Sequence, residues 1–308
     1  MLKLKLEYPA SDQASKKLKL TQKEKHMSEE KINTVTTKND FKSALRNVDI
    51  KDDDTVLVHT ALSKFYYVPN GPETIVEALK EAVPNGTIMM PSQVSTNCDP
   101  ATWEYPPVQK SLIQVVKDAM PPYNPTTSMT EGLGVTPEYF RTLPDVVRST
   151  HPYLPIAIWG KNKVKIAQNQ PLNIPYGIDS PLDYLYQNNG KTIFLGTDYE
   201  TCTVLHYAES TIGRKTETCS AATSLDESGK TIWTEYQNID MDSYDDFNEL
   251  GTEFEAKHPS AIKKVKLNNG VIKVINVKPL IDFARKWFTK KDNNKRKKLL
   301  STSSFFFI

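Results

Sequence analysis

Three consecutive stretches, "DDDTVLVHTAL" at 52–62, "GPETIVEALKEAV" at 71–83 and "GTIMMP" at 86–91, constrain the fold more than any other feature of the sequence. The first and third are continuous apolar runs of strand length, and the middle one carries apolar residues at helical spacing behind Pro72, which is tolerated in a first helical turn. A buried strand, a helix and a second buried strand in that order predict a βαβ unit, whose sheet is covered on both faces. The pattern extends outward. "TKNDFKSALRNV" places Phe41, Ala44 and Leu45 on one helical face behind an Asn or Asp cap, "LPIAIWG" and "KTIFLGTD" read as strands, and "LHYAESTIG" reads as a short helix closed by Gly213. From 221 onward "ATSLDESGKTIWTEY" reads as a hairpin turning at Glu227 to Gly229. The expected class is α/β with a mixed central sheet flanked by helices.

Charge divides the chain into three expected parts. Residues 1–26 carry seven lysines against three acids, and "RKWFTKKDNNKRKK" at 285–298 carries eight basic groups against one acid. The remainder holds 24 basic and 33 acidic side chains, so a net charge of +2 conceals an acidic body. The expected division is a basic segment over 1–30, with Met27 as a second candidate start, a single domain over 31–284, and a basic tail over 285–308 ending in "LLSTSSFFFI". An acidic body repels nucleic acid and attracts cationic small molecules, and the basic ends read as solvated tails. The longest apolar runs are far short of the roughly 20 residues a membrane span needs. Three cysteines, Cys98, Cys202 and Cys219, without CxxC spacing and without a secretory leader, support neither a disulfide framework nor a structural zinc site and predict a cytoplasmic chain.

Long proline-rich connections, "TWEYPPVQKS", "AMPPYNPTTSMTEGLGVTPEYF" and "PLNIPYGIDSPLDYL", interrupt the alternation and are expected to wall a cleft. No Walker loop, GxGxxG, GxSxG or HExxH occurs. "EGLG" at 131–134 is too short to cradle a phosphate by itself. Of the five histidines, His26 and His258 lie in charged, solvent-suited sequence. His59 ends an apolar strand and is followed by Thr60 and Ser63, which suits either a satisfied core histidine or a ligand site at a strand end. His151 follows Arg148 and Ser149, donors suited to phosphate or, alternatively, to capping a helix end. His206 and Glu209 share a helical face, and three readings stay open there: half of a metal site, a thiol and imidazole pair with Cys202, or a general base. Downstream, Glu235, Asp240, Asp242, Asp245, Asp246, Glu249, Glu253 and Glu255 form a stretch without lysine or arginine, either a solvated face or a wall for a polycationic substrate.

"VLVHTALSKF", "GTIMMP", "DPATWEYPPV", "MPPYNPTTSMTEGLG", "EYFRTLPDVVRSTHP", "GIDSPLDYL" and "TIFLGTDYETCTVLHYAE", taken in order from about residue 38 to about 280, resemble the antibiotic (aminoglycoside) 3-N-acetyltransferase family. The resemblance implies that family's α/β fold, distinct from the GNAT fold, and acetyl transfer from acetyl-CoA to the 3-amino group of a deoxystreptamine ring. It implies His206, in "LHYAE", as catalytic base. It implies an acetyl-CoA site at His59, Thr60, Ala61, Leu62 and Ser63 near the pantetheine arm, with Arg148, Ser149 and His151 of "RSTHP" as further cofactor-site residues. Thr203 would face the thioester carbonyl. Two positions depart from the family pattern: Pro155 stands where a serine is usual, and Asn238 where an acid is common, with Asp240 the nearest replacement.

The implied mechanism takes a polycationic amine into an acidic cleft and removes a proton from it. A histidine base suits that task and typically contributes about 10²- to 10⁴-fold. Asp240, and after it Glu209, is expected to orient His206, and Thr203 with nearby amides to stabilise the oxyanion, with no metal. The alternatives are an acetyl-CoA-binding homologue weak or lacking in catalysis, and a Cys202-dependent acyl hydrolase or transferase.

Overall fold

A computed structural model of the chain describes residues 31–241, 244 and 246–303. Among the described residues, 31–35 group apart from the compact unit that begins at Thr36. Met27, His26, Asp242, Asp245 and the terminal "SFFFI" lie outside the described residues.

The expected βαβ unit is present. β1 (Thr55–Thr60) pairs in parallel with β2 (Thr87–Pro91), and α2 (Pro72–Ala82) connects them with Pro72 in its first turn. Ahead of it, α1 (Lys38–Asn47) buries Phe41, Ala44 and Leu45 as the spacing predicts. Its cap is Thr37 rather than an Asn or Asp: the Thr37 side chain accepts from the Asp40 amide while the Asp40 carboxylate accepts from Thr37 N at 2.8 Å. This reciprocal capping box satisfies two amides that the helix itself leaves without partners.

Further along come α3 (Ile113–Ala119), α4 (Val135–Arg141), β3 (Val146–Arg148), β4 (Ile156–Gly160), α5 (Lys163–Gln168), α6 (Pro181–Gln187), β5 (Lys191–Leu195) and α7 (Leu205–Ser210). The hairpin of β6 (Thr216–Leu225) and β7 (Thr231–Ile239) follows, then α8 (Phe247–Lys257), β8 (Ile262–Leu267), β9 (Gly270–Asn276) and α9 (Val277–Ser303). Seven strands form the central sheet in the order β3-β4-β2-β1-β5-β9-β8. β1 pairs in parallel with both β2 and β5, and the remaining neighbours are antiparallel, which makes the sheet mixed as expected.

Because successive side chains on a strand face opposite ways, the sheet separates two apolar layers. Leu57, Met89, Ile158, Phe194 and Ile275 pack on one face with residues of α6, α7, α8 and α9. Val56, Val58, Ile88, Met90, Ala157 and Ile193 pack on the other with α1, α2 and Phe140 of α4. Both faces of β1 are thereby dry, which is why its sequence is a continuous apolar run rather than an alternation.

The C-terminal stretch departs from expectation. Residues 285–303 continue α9 without a break, and its Trp287 and Phe288 are buried in the core, Phe288 completely. Phe288 packs tilted against Phe247 and edge-on against Trp287, at ring separations of 6.0 and 5.5 Å. The expected domain boundary at 284/285 therefore falls inside a packed helix. Basic residues dominate the count of "RKWFTKK", but its two aromatics decide its place, because they remove more apolar surface from water than the exposed lysines oppose.

Candidate active site

The cleft lies beyond the C-terminal ends of the parallel strands, where the chain leaves β1 towards β2 on one side and returns as β5 on the other; such a switch in direction opens a crevice in α/β sheets. The ends of β1 and β5 are drawn together: Ala61 N donates to Leu195 O at 2.8 Å, and a Cβ on Gly196 (φ +75°) would come 2.7 Å from the Lys64 Cβ. Only glycine accommodates that backbone conformation and approach together.

A cavity of about 440 Å³ opens at this end of the sheet. His59, Thr60, Ala61, Leu62 and Ser63, all expected at the cofactor site, line it together with Val58. The opposite wall is Gly132 to Pro137, with Thr197 and Thr201 completing it. These wall residues belong to "AMPPYNPTTSMTEGLGVTPEYF", one of the stretches expected to wall a cleft, but Val135 to Pro137 open α4 rather than continue a loop. Three buried polar atoms around the cavity have no hydrogen-bond partner among the described residues: His59 Nε2, Thr136 Oγ1 and Thr197 Oγ1. Buried polar atoms are rarely left so in a finished structure unless a ligand or water takes them. Burial, and then the neighbouring His206, push the His59 pKa down to about 3, so its imidazole is neutral.

His206 is the second residue of α7, with 18% of its side chain exposed. Its Nδ1 lies 2.7 Å from Glu209 Oε2, and the Glu209 side chain is fully buried. The imidazole is held between aromatic rings, stacked at 6.0 Å on Tyr176 and tilted at 5.3 Å against Phe247. Tyr176 belongs to the proline-rich loop before α6, which is tied to β7 by Ile174 N donating to Gln237 O at 2.8 Å and Gln237 N to Asn173 Oδ1 at 2.8 Å. Thr203 precedes α7, is nearly buried, and accepts from His206 N through its carbonyl at 3.1 Å. The Glu209 oxygen not facing His206 accepts from Arg214, a residue that local spacing did not single out.

Several expectations are corrected here. Glu209, not Asp240, is the acid hydrogen-bonded to His206; Asp240 is exposed just beyond the end of β7. Arg148, Ser149 and His151 are buried and do not line the cavity, and apart from Arg148 Nε, which has no partner among the described residues, their polar side-chain atoms bond inside the fold. The Arg148 guanidinium donates to the carbonyls of Ser128 and Ser92, and Ser149 Oγ donates to Gln170 Oε1. His151 Nδ1 accepts from the amides of Tyr153 and Leu154 at 3.2 and 3.0 Å, leaving Nε2–H for Leu172 O at 3.2 Å. Burial pushes the His151 pKa down to about 4, and a neutral ring with both nitrogens bonded to backbone offers nothing to a phosphate. The acidic stretch is also largely neutralised. Asp246 and Glu249 share Lys291, Glu253 pairs with Lys257, and Glu255 with Lys264 and Lys273. Asn238 is buried in β7 opposite Glu217.

Cys202 is 1% exposed, and burial pushes its thiol up to about 12, which disfavours the thiolate a nucleophile requires. Where a metal would need open ligands, Glu209 already faces the Arg214 cation. Among the described residues no group of three or more His, Cys, Asp or Glu is arranged to hold a metal ion, and no helix is long and apolar enough to cross a membrane.

The aminoglycoside 3-N-acetyltransferase family model matches residues 57–289. The SPbeta prophage-derived aminoglycoside N(3')-acetyltransferase-like protein YokD of Bacillus subtilis (strain 168) is 36% identical over 259 residues, covering 83% of this chain and 94% of that protein. The crystal structure of YokD superposes with a TM-score of 0.79 over 84% of this chain and 96% of that one, at 35% identity. A structure described as AAC-IIIb binary with CoASH shares the fold, with a TM-score of 0.72 at 24% identity over 84% of this chain and 98% of that one.

Proposed function

The chain belongs to the aminoglycoside 3-N-acetyltransferase family, and from that premise we propose that it transfers an acetyl group from acetyl-CoA to an amine of a polycationic aminoglycoside, the 3-amino group of a deoxystreptamine ring, with His206 as general base. The observation that carries this reading is the pair of His206 Nδ1 and Glu209 Oε2 at 2.7 Å, with His206 near enough to His59 of the cavity lining to act on it electrostatically. A buried carboxylate accepting from Nδ1–H fixes the tautomer in which Nε2 carries the free lone pair, so Nε2 is the atom that takes the proton from the attacking amine. Glu209 then stabilises the imidazolium that forms.

The cavity suits an arm built of alternating methylene and amide groups. Val58, Ala61, Leu62, Leu133, Val135 and Pro137 supply apolar walls, while His59 Nε2, Thr136 Oγ1 and Thr197 Oγ1 are polar atoms in want of a partner. Acetyl-CoA, when bound, supplies the activated acyl group. Neutral His59 adds no charge beside the thioester, and Thr203 with neighbouring amides is the candidate donor set for the developing oxyanion. Much of the acidic stretch is paired to lysines, and Glu235 of the hairpin is exposed, where its charge adds to the attraction for a cation.

The test is thiol release from acetyl-CoA in the presence of a panel of deoxystreptamine aminoglycosides, with product mass and position determined. Wild type is expected to turn over at least one of them, and His206→Ala to lose about 10²-fold or more in kcat. Acetyl-CoA binding without turnover of any amine would sink the catalytic reading, and an unchanged rate in His206→Ala would remove that residue's role.

A further inference from the structure

Arg214 sits just past the Gly213 turn that closes α7, with 9% of its side chain exposed, and its guanidinium is shared between two carboxylates. One terminal nitrogen donates to Glu209 Oε1, on the carboxylate whose other oxygen faces His206. The Nε edge makes a two-pronged contact with Asp292 of α9, Nε to Oδ2 at 3.1 Å and Nη2 to Oδ1 at 3.2 Å. Asp292 is itself held by Tyr244 Oη at 2.6 Å. The flat cation also lies over the Phe288 and Tyr244 rings at 5.0 and 5.5 Å, so packing as well as charge fixes its plane.

We propose that Arg214 is a positioning residue for acetyl transfer, anchoring the Glu209 carboxylate, and through it the His206 imidazole, to Asp292 on the C-terminal helix. The inference rests on the reading of His206 as the base. A fully buried carboxylate bonded only to an imidazole would gain by taking up a proton from solvent; as a neutral acid it would donate to Nδ1, the ring proton would then reside on Nε2, and the basic atom would be lost. A guanidinium on the second oxygen gives the carboxylate a charge-assisted partner and limits how far it can turn. The titratable and charged groups around the pair include Arg214 on the turn after α7, Asp292 of α9, Tyr244 and, near His206, His59 of β1.

A structural ion pair would tie α7 to α9 equally well, so the experiment must read the base itself. kcat, KM and the pH dependence of kcat/KM are measured with acetyl-CoA and an aminoglycoside for wild type, His206→Ala, Arg214→Met, Arg214→Lys and Asp292→Asn, with acetyl-CoA binding as the check on folding. Arg214→Met is expected to lower kcat by about tenfold or more while KM for acetyl-CoA moves by less than about threefold. Its acidic limb is expected to shift to higher pH, because removing a positive charge favours the protonated pair. Arg214→Lys should recover part of the rate, and Asp292→Asn should fall between it and wild type. Wild-type kcat and pH profile in Arg214→Met, with His206→Ala inactive, overturns the inference alone. If Arg214→Met fails to bind acetyl-CoA, the same unchanged values in Arg214→Lys and Asp292→Asn overturn it. Full activity in His206→Ala instead overturns the reading of the base, and this inference with it.

Discussion

At the scale of single residues, the chemistry divides according to what each buried side chain touches. His206 and His151 are both histidines in apolar surroundings, yet they play opposite parts. His151 has both nitrogens bonded to backbone groups, whereas His206 has Nδ1 bonded to Glu209 and the rest of its ring partly exposed. Cys202 lies four positions before His206 and on sequence grounds is an eligible nucleophile. Its burial and elevated thiol pKa remove that eligibility. Cys202→Ala is therefore expected to keep kcat within about threefold of wild type, with a stability loss of about 1 kcal/mol for the small cavity left behind. A loss of activity as deep as that of His206→Ala, in a variant that still binds acetyl-CoA, would restore the thiol reading.

At the scale of elements, α7 is too short to hold a catalytic side chain rigidly by its own hydrogen bonds, since helices of this length are marginal alone. Its position comes from α9 instead. Arg285 Nε donates to Thr211 Oγ1 at 2.9 Å, Phe288 packs under the Arg214 guanidinium, and Asp292 holds that guanidinium from the side. A stretch that composition marks as a solvated tail is thus a support for the active helix. Phe288→Ala is expected to cost about 3–5 kcal/mol, read as a lower midpoint in urea or guanidinium unfolding at unchanged slope. A change below about 0.5 kcal/mol would return α9 beyond residue 284 to the status of an appendage.

At the scale of the whole molecule, the buried histidines set an acid limit on stability. His59 and His151 are held neutral by burial, with pKa values pushed down to about 3 and about 4 from an ordinary 6.5. In the unfolded chain both take up protons below pH 6.5, and in the folded chain they do not until the proton concentration is hundreds to thousands of times higher. The unfolded state therefore binds more protons across the window from pH 6.5 to about 4, and stability falls as pH falls through it. Two such groups predict a loss of about 2–3 kcal/mol between pH 7.5 and pH 5.5, above the range where ordinary carboxylates protonate. Urea unfolding at the two pH values checks this, and equal free energies at both would contradict it.

Sequence alone determined the alternation of strand and helix, the βαβ unit around β1, the hairpin and the histidine of α7, because each is written in local periodicity or in a contiguous motif. It determined equally that His59 to Ser63 stand at a strand end, where a sheet offers its ligand site. The tertiary structure decided what depends on contacts between distant positions. Arg214 and Asp292 are 78 residues apart in sequence and meet only when α9 packs on α7. Glu209 is the acid bonded to His206 because a spacing of three on one helix brings its carboxylate to Nδ1. Arg148, Ser149 and His151 carry donors that suit a phosphate in any sequence, but burial turned them inward onto carbonyls and amides. Residue types fix what a side chain is able to do; which partner satisfies it is settled by packing, because a buried polar group bonds to whatever the fold brings within reach.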